Sequence, residues 1–209
     1  MAFTVEDFCT ARPYLYHLTA PPNIDGIRKD GVLLSAAEIL RRSGRADQIR
    51  RRRIGSLTVR LQDRDVVLRD QDPLHEGNIA FTDGMSFADF LAFLNTHVFF
   101  WPGREDCPNA YGLRHFARYQ AQNPVILRLR SDDVVRRNAA KQLLFSKYNS
   151  GAPRCSHGQH SPRGRSVFSS ADSARFRIGD VAEVVFVGRV ALPSTVELGG
   201  SPRGPWTRV

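Results

Sequence analysis

The sequence predicts a single-domain α+β fold, a mostly antiparallel β-sheet with flanking helices, and two observations support this prediction. Strand-like and helix-like segments mix along the chain without the strict alternation that a doubly wound parallel sheet requires. The length of 209 residues is enough for one sizeable core and is short for two independent ones. We therefore assign residues 1–195 to a single domain, and residues 196–209, whose composition resembles a linker, to a flexible C-terminal tail.

The first predicted elements are a strand and a short helix. Residues 14–20 (YLYHLTA) alternate as a strand does, which places His17 and Thr19 on the same face. Two prolines end the strand, and the next helix has Asn23 as a candidate N-cap and Gly31 as a candidate C-cap. His17 and Thr19 fit either of two roles: a core histidine beside a plain strand former, or a polar pair that binds a ligand.

The middle of the chain predicts a helix, a hairpin and a further helix. A capping-box pattern begins a helix within residues 33–53, which ends in a run of arginines. Residues 57–74 predict a hairpin with a polar turn between its strands. Residues 86–95 have apolar side chains at helical spacing.

The second half of the chain contains the most hydrophobic short stretch, residues 96–103, which is the best candidate for a central strand. The other segments predict, in order, a helix over 109–122, a strand over 124–131, a helix of one or two turns, a strand up to Gly151 and a last strand within 182–193.

The chain is strongly basic. Its formal net charge is +9 and its pI is about 10.2, which favours acidic partners, with nucleic acid first among them. Three of the thirty basic residues are lysines, and this bias to arginine fits both bidentate phosphate binding and a GC-rich genome.

The sequence also bears on compartment and metals. The three cysteines form no C-x-x-C pair and have no metal-like spacing with the histidines, so we expect no metal site and a reducing compartment. The N-terminal segment lacks a long apolar stretch, and no run reaches the roughly 18 apolar residues of a membrane span. We therefore expect a soluble, cytoplasmic protein without a membrane partner.

One carboxylate, Glu183, stands at the start of the apolar run VVFV, residues 184–187. Placing a carboxylate there is costly unless it has a partner or a task. The preceding residues 149–180 are rich in Gly, Ser, Pro and Arg, and a long polar loop inside a compact domain is often functional. Two interpretations are open: an exposed residue at the start of a strand, or an active-site carboxylate.

The loop over residues 149–170 has a one-sided charge, with no acid before Asp172. Such a segment fits the approach to a phosphate backbone, and it fits equally a disordered, solvated loop whose arginines follow genome composition. The polar residues that we single out in it are Asn149, Arg154, Arg163 and Arg165.

Five short blocks follow one another in an order that is typical of an enzyme family. They are Tyr16-His17-Leu18-Thr19, with the form H-x-T; Asn23-Ile24-x-x-Ile27-x-x-x-Gly31-Val32-Leu33; Ile49-x-x-Arg52-Arg53; His97-Val98-Phe99-Phe100-Trp101-Pro102; and Ala182-Glu183-Val184-Val185. In this order they resemble the DarT family of bacterial DNA ADP-ribosyltransferase toxins. The chain is more similar still to an uncharacterised bacterial domain family with the blocks LRDQ-x-PL (68–74), FFW (99–101), NSG (149–151) and RG-x-x-x-F (163–168). The likeness to DarT spans roughly residues 14–192 and is missing over residues 57–95.

The resemblance implies a single-domain ADP-ribosyltransferase-like fold with a split sheet, and NAD as the donor of ADP-ribose. It implies that Glu183 is the catalytic carboxylate, with Arg53 as a further catalytic residue. Either Arg52 or Arg53 would neutralise the diphosphate of NAD or position Glu183. The residues that it assigns to NAD binding are His17, Thr19, Asn23 and Arg52.

The resemblance also implies an acceptor. This is a base of DNA or RNA, which must be single-stranded or flipped out to be reached. The loop residues Asn149, Arg154, Arg163 and Arg165 would meet it. The resemblance to a toxin family leaves an antitoxin protein open as a partner.

Other functions stay open: transfer to a protein side chain or to a 2′-phosphate of RNA, or a non-catalytic module that binds nucleic acid with its basic face. An enzyme of the proposed kind requires that the strands of His17 and Glu183 are central and that both residues line one cleft.

Overall fold

The computed structural model describes residues 2–209 and confirms the predicted α+β class. Within these residues six α-helices accompany a seven-stranded sheet and three small sheets. The helices are α1 (Val5–Ala11), α2 (Ile24–Asp30), α3 (Ala36–Arg42), α4 (Phe87–Asn95), α5 (Ala110–Tyr119) and α6 (Ser131–Arg137). The strands are β1 (Tyr14–Thr19), β2 (Val32–Leu34), β3 (Leu57–Leu61), β4 (Arg64–Leu68), β5 (Ile79–Phe81), β6 (His97–Gly103), β7 (Val125–Arg130), β8 (Leu143–Ser146), β9 (Cys155–Ser156), β10 (Gln159–Arg163), β11 (Glu183–Val187), β12 (Arg189–Ala191), β13 (Glu197–Gly199) and β14 (Thr207–Arg208).

The large sheet is antiparallel, in the order β14-β13-β7-β1-β6-β11-β8. Strand β6, predicted to be central, lies between β1 and β11 and divides its pairing between them. Its C-terminal part, from Trp101, pairs with Tyr14–Tyr16 of β1, and its N-terminal part, His97–Phe100, pairs with β11. Beyond Tyr16, strand β1 has no further register with β6, so the sheet splits between the two strands.

Helix boundaries follow the capping chemistry of the sequence. Gly31 ends α2 with a φ of 62°, a left-handed conformation that glycine adopts without strain. Ser86 and Asp89 form a complete capping box at the start of α4. Helix α3 is shorter than the helix predicted within residues 33–53, since Gly44, with a φ of 72°, follows its end and residues 46–50 form a 3₁₀ turn.

The main core lies between the sheet and the helices α1 and α6. Helix α1, which was outside the predicted elements, buries Phe8 completely, and the Phe8 ring lies 4.8 Å from that of Phe145 on β8. A second apolar cluster joins α3 to the hairpin β3–β4, through residues such as Leu40 and Val59. The hairpin agrees with the one predicted within residues 57–74. Packed against α3, it forms one side of the opening between β1 and β6.

Residues 196–209 differ from the expected flexible tail, because they extend the large sheet. Strand β13 pairs with β7, and β14 pairs with β13. The ring of Trp206 lies 5.9 Å from that of Tyr16, and the guanidinium of Arg128 lies 4.5 Å from the centre of the Trp206 ring. Arg128 also donates to Glu197 at 2.8 Å. Composition could not reveal this, since backbone pairing and one indole hold the segment.

The polar loop predicted over residues 149–170 is folded too. Strand β10 pairs in parallel with β5 and antiparallel with β9, which makes a three-stranded sheet. Backbone pairing orders a segment that has few apolar side chains of its own.

Trp206→Ala tests whether the C-terminal segment is part of the folded domain. Because the indole is half-buried, we expect the free energy of unfolding to fall by roughly 1–3 kcal/mol in urea denaturation followed by circular dichroism. Thr207→Ala, at an exposed position of β14, is the matched control and should change it by less than about 0.5 kcal/mol. Equal unfolding curves for all three proteins would contradict the packing of this segment.

Candidate active site at the split of the sheet

A cleft of about 550 Å³ opens where β1 separates from β6. This volume lies in the range of small-molecule binding sites. Its walls come from the split strands, the hairpin β3–β4, helix α5 and residues 148–154. His17 and Glu183 both line the cleft, as expected for residues on strands that flank β6.

His17 bridges the split with its side chain. Its Nδ1 lies 2.9 Å from the carbonyl oxygen of Phe99, where β1 has lost its pairing with β6. Because a carbonyl can only accept, Nδ1 carries the proton and Nε2 is an acceptor. Burial lowers the pKa of His17 to about 4, against the effect of the bond to Phe99 and together with the charge of Arg69. The imidazole is therefore neutral at pH 7 and suits a ligand hydroxyl.

Glu183 is 3% exposed, so its interpretation as an exposed strand-start residue is wrong. Its Oε2 accepts hydrogen bonds from the backbone N and the Oγ of Ser150, at 3.1 and 2.5 Å. Burial raises the pKa of Glu183 to about 7, although the bonds from Ser150 and the charge of Arg163 favour the ionised form. A carboxyl group that titrates near neutrality can exchange a proton at pH 7, and Oε1 is left for a ligand.

Arg163, predicted to meet the acceptor, is a buried support of the site instead, since only 2% of it is exposed. Its Nη2 donates to the carbonyl of Asn149 at 2.7 Å, and its Nη1 to that of Pro162 at 2.8 Å. A longer bond of 3.4 Å joins its Nε to the carbonyl of Ser150. Arg163 thus fixes the segment that carries Ser150 to Glu183, and its donors are used inside the protein.

The other residues predicted for acceptor binding divide into two that line the cleft and one that does not. Asn149 and Arg154 line the cleft, and Arg154 is exposed. Arg165 is exposed but does not line the cleft; its guanidinium lies 6.0 Å from the centre of the Phe93 ring. Of the three arginines predicted for this role, Arg154 is therefore the one that presents a solvated charge to the cleft.

Thr19 and Asn23 line the cleft, but Asn23 has a mainly structural task. Its Nδ2 donates to Thr19 Oγ1 at 3.1 Å and to the carbonyl of Val67 at 2.9 Å, while its Oδ1 accepts from the backbone N of Val67 at 2.8 Å. Both amide hydrogens are used, so Asn23 ties the start of α2 to β4. This differs from the predicted direct contact with NAD.

Of the two arginines predicted at positions 52 and 53, Arg53 lines the cleft and Arg52 does not. Arg53 donates through Nε to the carbonyl of Arg69 at 2.9 Å, and through Nη1 to Asn95 at 3.1 Å. Burial lowers the pKa of Arg53 to about 10, against the charge of Asp70. Arg52 pairs with Asp72 at 3.2 Å, so the predicted cofactor contact of Arg52 is not supported by its position.

Four further residues form an inner wall of the cleft that the sequence analysis missed: Arg69, Trp101, His115 and Tyr119. The ring of His115 lies 4.5 Å from that of Trp101 and 4.8 Å from that of Tyr119, and the guanidinium of Arg69 lies 4.5 Å over Tyr119. Burial lowers the pKa of His115 to about 3, with a contribution from Arg69. One signal was present: His115 and Tyr119 are four residues apart, on one face of the predicted helix.

A second groove, of about 830 Å³, shares Tyr111 with the cleft. The Nε of Arg12 is buried in it without a hydrogen-bond partner among residues 2–209. Its acids are Asp106 and Asp180, and its cations are Arg12, Arg104, Lys147 and Arg175.

Helix α5 is attached to the strand that carries Glu183. Asn109 caps the helix, since its Oδ1 accepts from the backbone N of Tyr111 and Gly112 at 3.1 and 3.0 Å. The Nδ2 of the same side chain donates to the carbonyls of Ala182 and Val181, at 2.8 and 3.3 Å. One amide therefore links the inner wall to the residue next to Glu183.

The sequence of the chain matches one known protein family. Residues 13–194 match a family described as a family of unknown function (DUF7002). The chain belongs to this family. No curated protein matches the DUF7002 chain, and no solved structure does. The family description names no activity, so the likeness to ADP-ribosyltransferases stays a prediction.

The described part of this DUF7002 protein can be characterised with respect to membranes and metals. None of the helices within residues 2–209 has the length and apolar character that a membrane crossing needs. The same residues contain no group of three or more His, Cys, Asp or Glu side chains placed to hold one metal ion.

Arg163→Gln and Arg165→Gln form a matched pair for this DUF7002 protein. We expect the first to lower the free energy of unfolding by about 2–4 kcal/mol, because it leaves buried carbonyls and Glu183 without their cation. We expect the second, on the surface, to change it by less than about 0.5 kcal/mol. Urea denaturation measures both, and equal effects would contradict the supporting role of Arg163.

Glu183→Gln tests the raised pKa through stability. Between pH 4.5 and about 7 the unfolded chain loses the proton while the folded chain keeps it, so this group lowers the free energy of unfolding as the pH rises. The glutamine variant lacks this pH-dependent decrease. We therefore expect the difference in the free energy of unfolding, variant minus parent, to grow by on the order of 3 kcal/mol from pH 4.5 to pH 8. A difference that does not change with pH would place the pKa of Glu183 near its ordinary value.

Proposed function

We propose that the chain is an NAD-dependent ADP-ribosyltransferase that transfers ADP-ribose to a base of nucleic acid. The observation that carries the proposal is one cleft that holds a buried carboxyl titrating near neutrality, Glu183, and a neutral histidine acceptor, His17. These are the residues that the DarT-like blocks assign to catalysis and NAD binding. The position of Arg53 in the same cleft adds support.

The proposed reaction breaks the bond between nicotinamide and ribose C1′, and the electron pair leaves with nicotinamide. Positive charge builds on the sugar, and ionised Glu183 stabilises it while its Oε1 accepts from a ribose hydroxyl. Nε2 of His17 accepts from another hydroxyl and fixes the orientation of the donor. The acceptor nitrogen or oxygen then forms the new bond to C1′, and its proton passes to Glu183.

Nucleic acid is favoured as the acceptor by the charge of the second groove. Four cations and two acids line that groove, and Tyr111 stands between it and the cleft. Cations attract phosphates without regard to sequence, and an aromatic ring stacks on an unpaired base. A base that passes Tyr111 toward Glu183 would have to be single-stranded or flipped out. A toxin role, with a possible antitoxin, belongs to the same proposal.

Glu183→Gln is the first test of activity. Purified parent and variant are given NAD with single-stranded DNA or RNA, and released nicotinamide and labelled nucleic acid are measured. We expect a loss of about 100-fold or more in the variant, because the amide cannot stabilise the positive sugar. Glu76→Gln, at an exposed position outside the cleft, is the matched control and should keep the parent rate.

The pH dependence of the same reaction identifies the active form. Since the ionised carboxylate is required, kcat/KM of the parent should rise with pH up to about 7 and then level off. A rate that is independent of Glu183, or no nicotinamide release with either nucleic acid, would contradict the proposal, and the non-catalytic binding module would then be favoured. If the ADP-ribose label is found on a protein instead of nucleic acid, the acceptor is a protein side chain.

A further inference from the structure

Arg69 is a half-buried arginine at the inner wall of the cleft, and one nitrogen of its guanidinium has no hydrogen-bond partner among residues 2–209. Its Nη1 is buried without a hydrogen-bond partner among residues 2–209, although the side chain lines the cleft. Burial lowers the pKa of Arg69, against the charges of Tyr119 and Asp70. Buried donors in native proteins are generally paired, and an unpaired one calls for an explanation such as a ligand, an ion or a water molecule.

Arg69 is held in place although its Nη1 is unpaired among the described residues. Its guanidinium stacks on Tyr119 at 4.5 Å, and the hydroxyl of Tyr119 donates to Asp70 at 2.7 Å. The backbone carbonyl of Arg69 accepts from Arg53 at 2.9 Å. Stacking and backbone contact fix the cation without using its donors, so a ligand anion would meet a preorganised partner.

The surroundings of Arg69 supply more donors. The Nε1 of Trp101 is the other buried donor on this wall without a partner among the described residues. The carboxylate of the next residue, Asp70, already accepts a hydrogen bond from the hydroxyl of Tyr119. Arg53 adds its positive charge to the same cleft. The wall therefore has positive charge and unpaired donors, which complement an anion.

We propose that the inner wall binds the diphosphate of a nucleotide, with Arg69 as its principal anion-binding residue. The planar guanidinium matches phosphate oxygens with two parallel donors, which a lysine cannot do. A diphosphate here lies in the same cleft as His17, the residue that we assign to a ribose hydroxyl. The inference rests on the proposed function for the identity of the nucleotide as NAD, while the anion contact stands on the geometry alone.

Isothermal titration calorimetry with three probes tests the contact: ADP, adenosine and inorganic pyrophosphate, at low ionic strength. We expect the parent to bind ADP more tightly than adenosine, and pyrophosphate to compete with ADP. Arg69→Gln should weaken ADP binding at least roughly tenfold, the loss expected for one charge-assisted pair, and leave adenosine binding within about twofold. Arg189→Gln removes the same charge from an exposed position of β12 outside both cavities, and should leave both affinities unchanged.

Arg69→Lys serves if the glutamine variant does not fold, which a thermal unfolding curve shows first. It keeps the charge and loses the fork, so ADP binding should weaken severalfold while adenosine binding stays the same. Equal ADP affinity in the parent and in a folded Arg69 variant, or equal affinity of the parent for ADP and adenosine, would overturn the inference.

Nicotinamide release from NAD, measured on the same proteins, separates this inference from the proposed function. If ADP binding depends on Arg69 but no nicotinamide is released, the anion contact is supported and the transferase function is contradicted. If nicotinamide is released but ADP binding does not depend on Arg69, the transferase function is supported and the anion contact is contradicted.

Discussion

The divided pairing of β6 is the constraint on which the site depends. Strand β6 pairs with β1 from Trp101 to Gly103 and with β11 from His97 to Phe100, so its edge toward β1 is open before Trp101. The gap would leave the carbonyl of Phe99 without a donor on the β1 side, and such an unpaired buried group is costly. The imidazole of His17 supplies that donor, which makes the opening of the sheet compatible with a stable fold and at the same time sets the tautomer that faces the cleft.

Burial in the core also sets the protonation states of the titratable groups in the cleft. Loss of water pushes His17 and His115 toward their neutral forms and pushes Glu183 toward protonation. The charge of Arg163 and the two hydrogen bonds from Ser150 act against the last effect, and the pKa of Glu183 settles near neutrality rather than far above it. Arg163 therefore adjusts the chemistry of the cleft from a buried position, where salt screens its charge much less than it would at the surface.

Local patterns predicted most of the elements, because caps, prolines and apolar periodicity act over a few residues. Ser86 with Asp89, and Gly31, are examples in which a short motif fixed a helix end. The flexible tail expected at the C-terminus and the disordered alternative for residues 149–170 were wrong, because the order of both segments comes from backbone pairing with distant strands, which composition does not record. Glu183 was found from one charge at an apolar run, whereas Arg69 was missed, since its neighbour Tyr119 is fifty residues away and becomes a neighbour only in the fold.

The double use of Asn109 ties two parts of the molecule into one mechanical unit. Its oxygen holds the first turn of α5, and its nitrogen holds the backbone beside Glu183. Helix α5 carries His115 and Tyr119, so the amide of Asn109 couples the position of the inner wall to the backbone beside the carboxylate. The width of the cleft and the placement of its acid are thus not independent variables, and a chain that evolves toward a bulkier ligand must adjust both together.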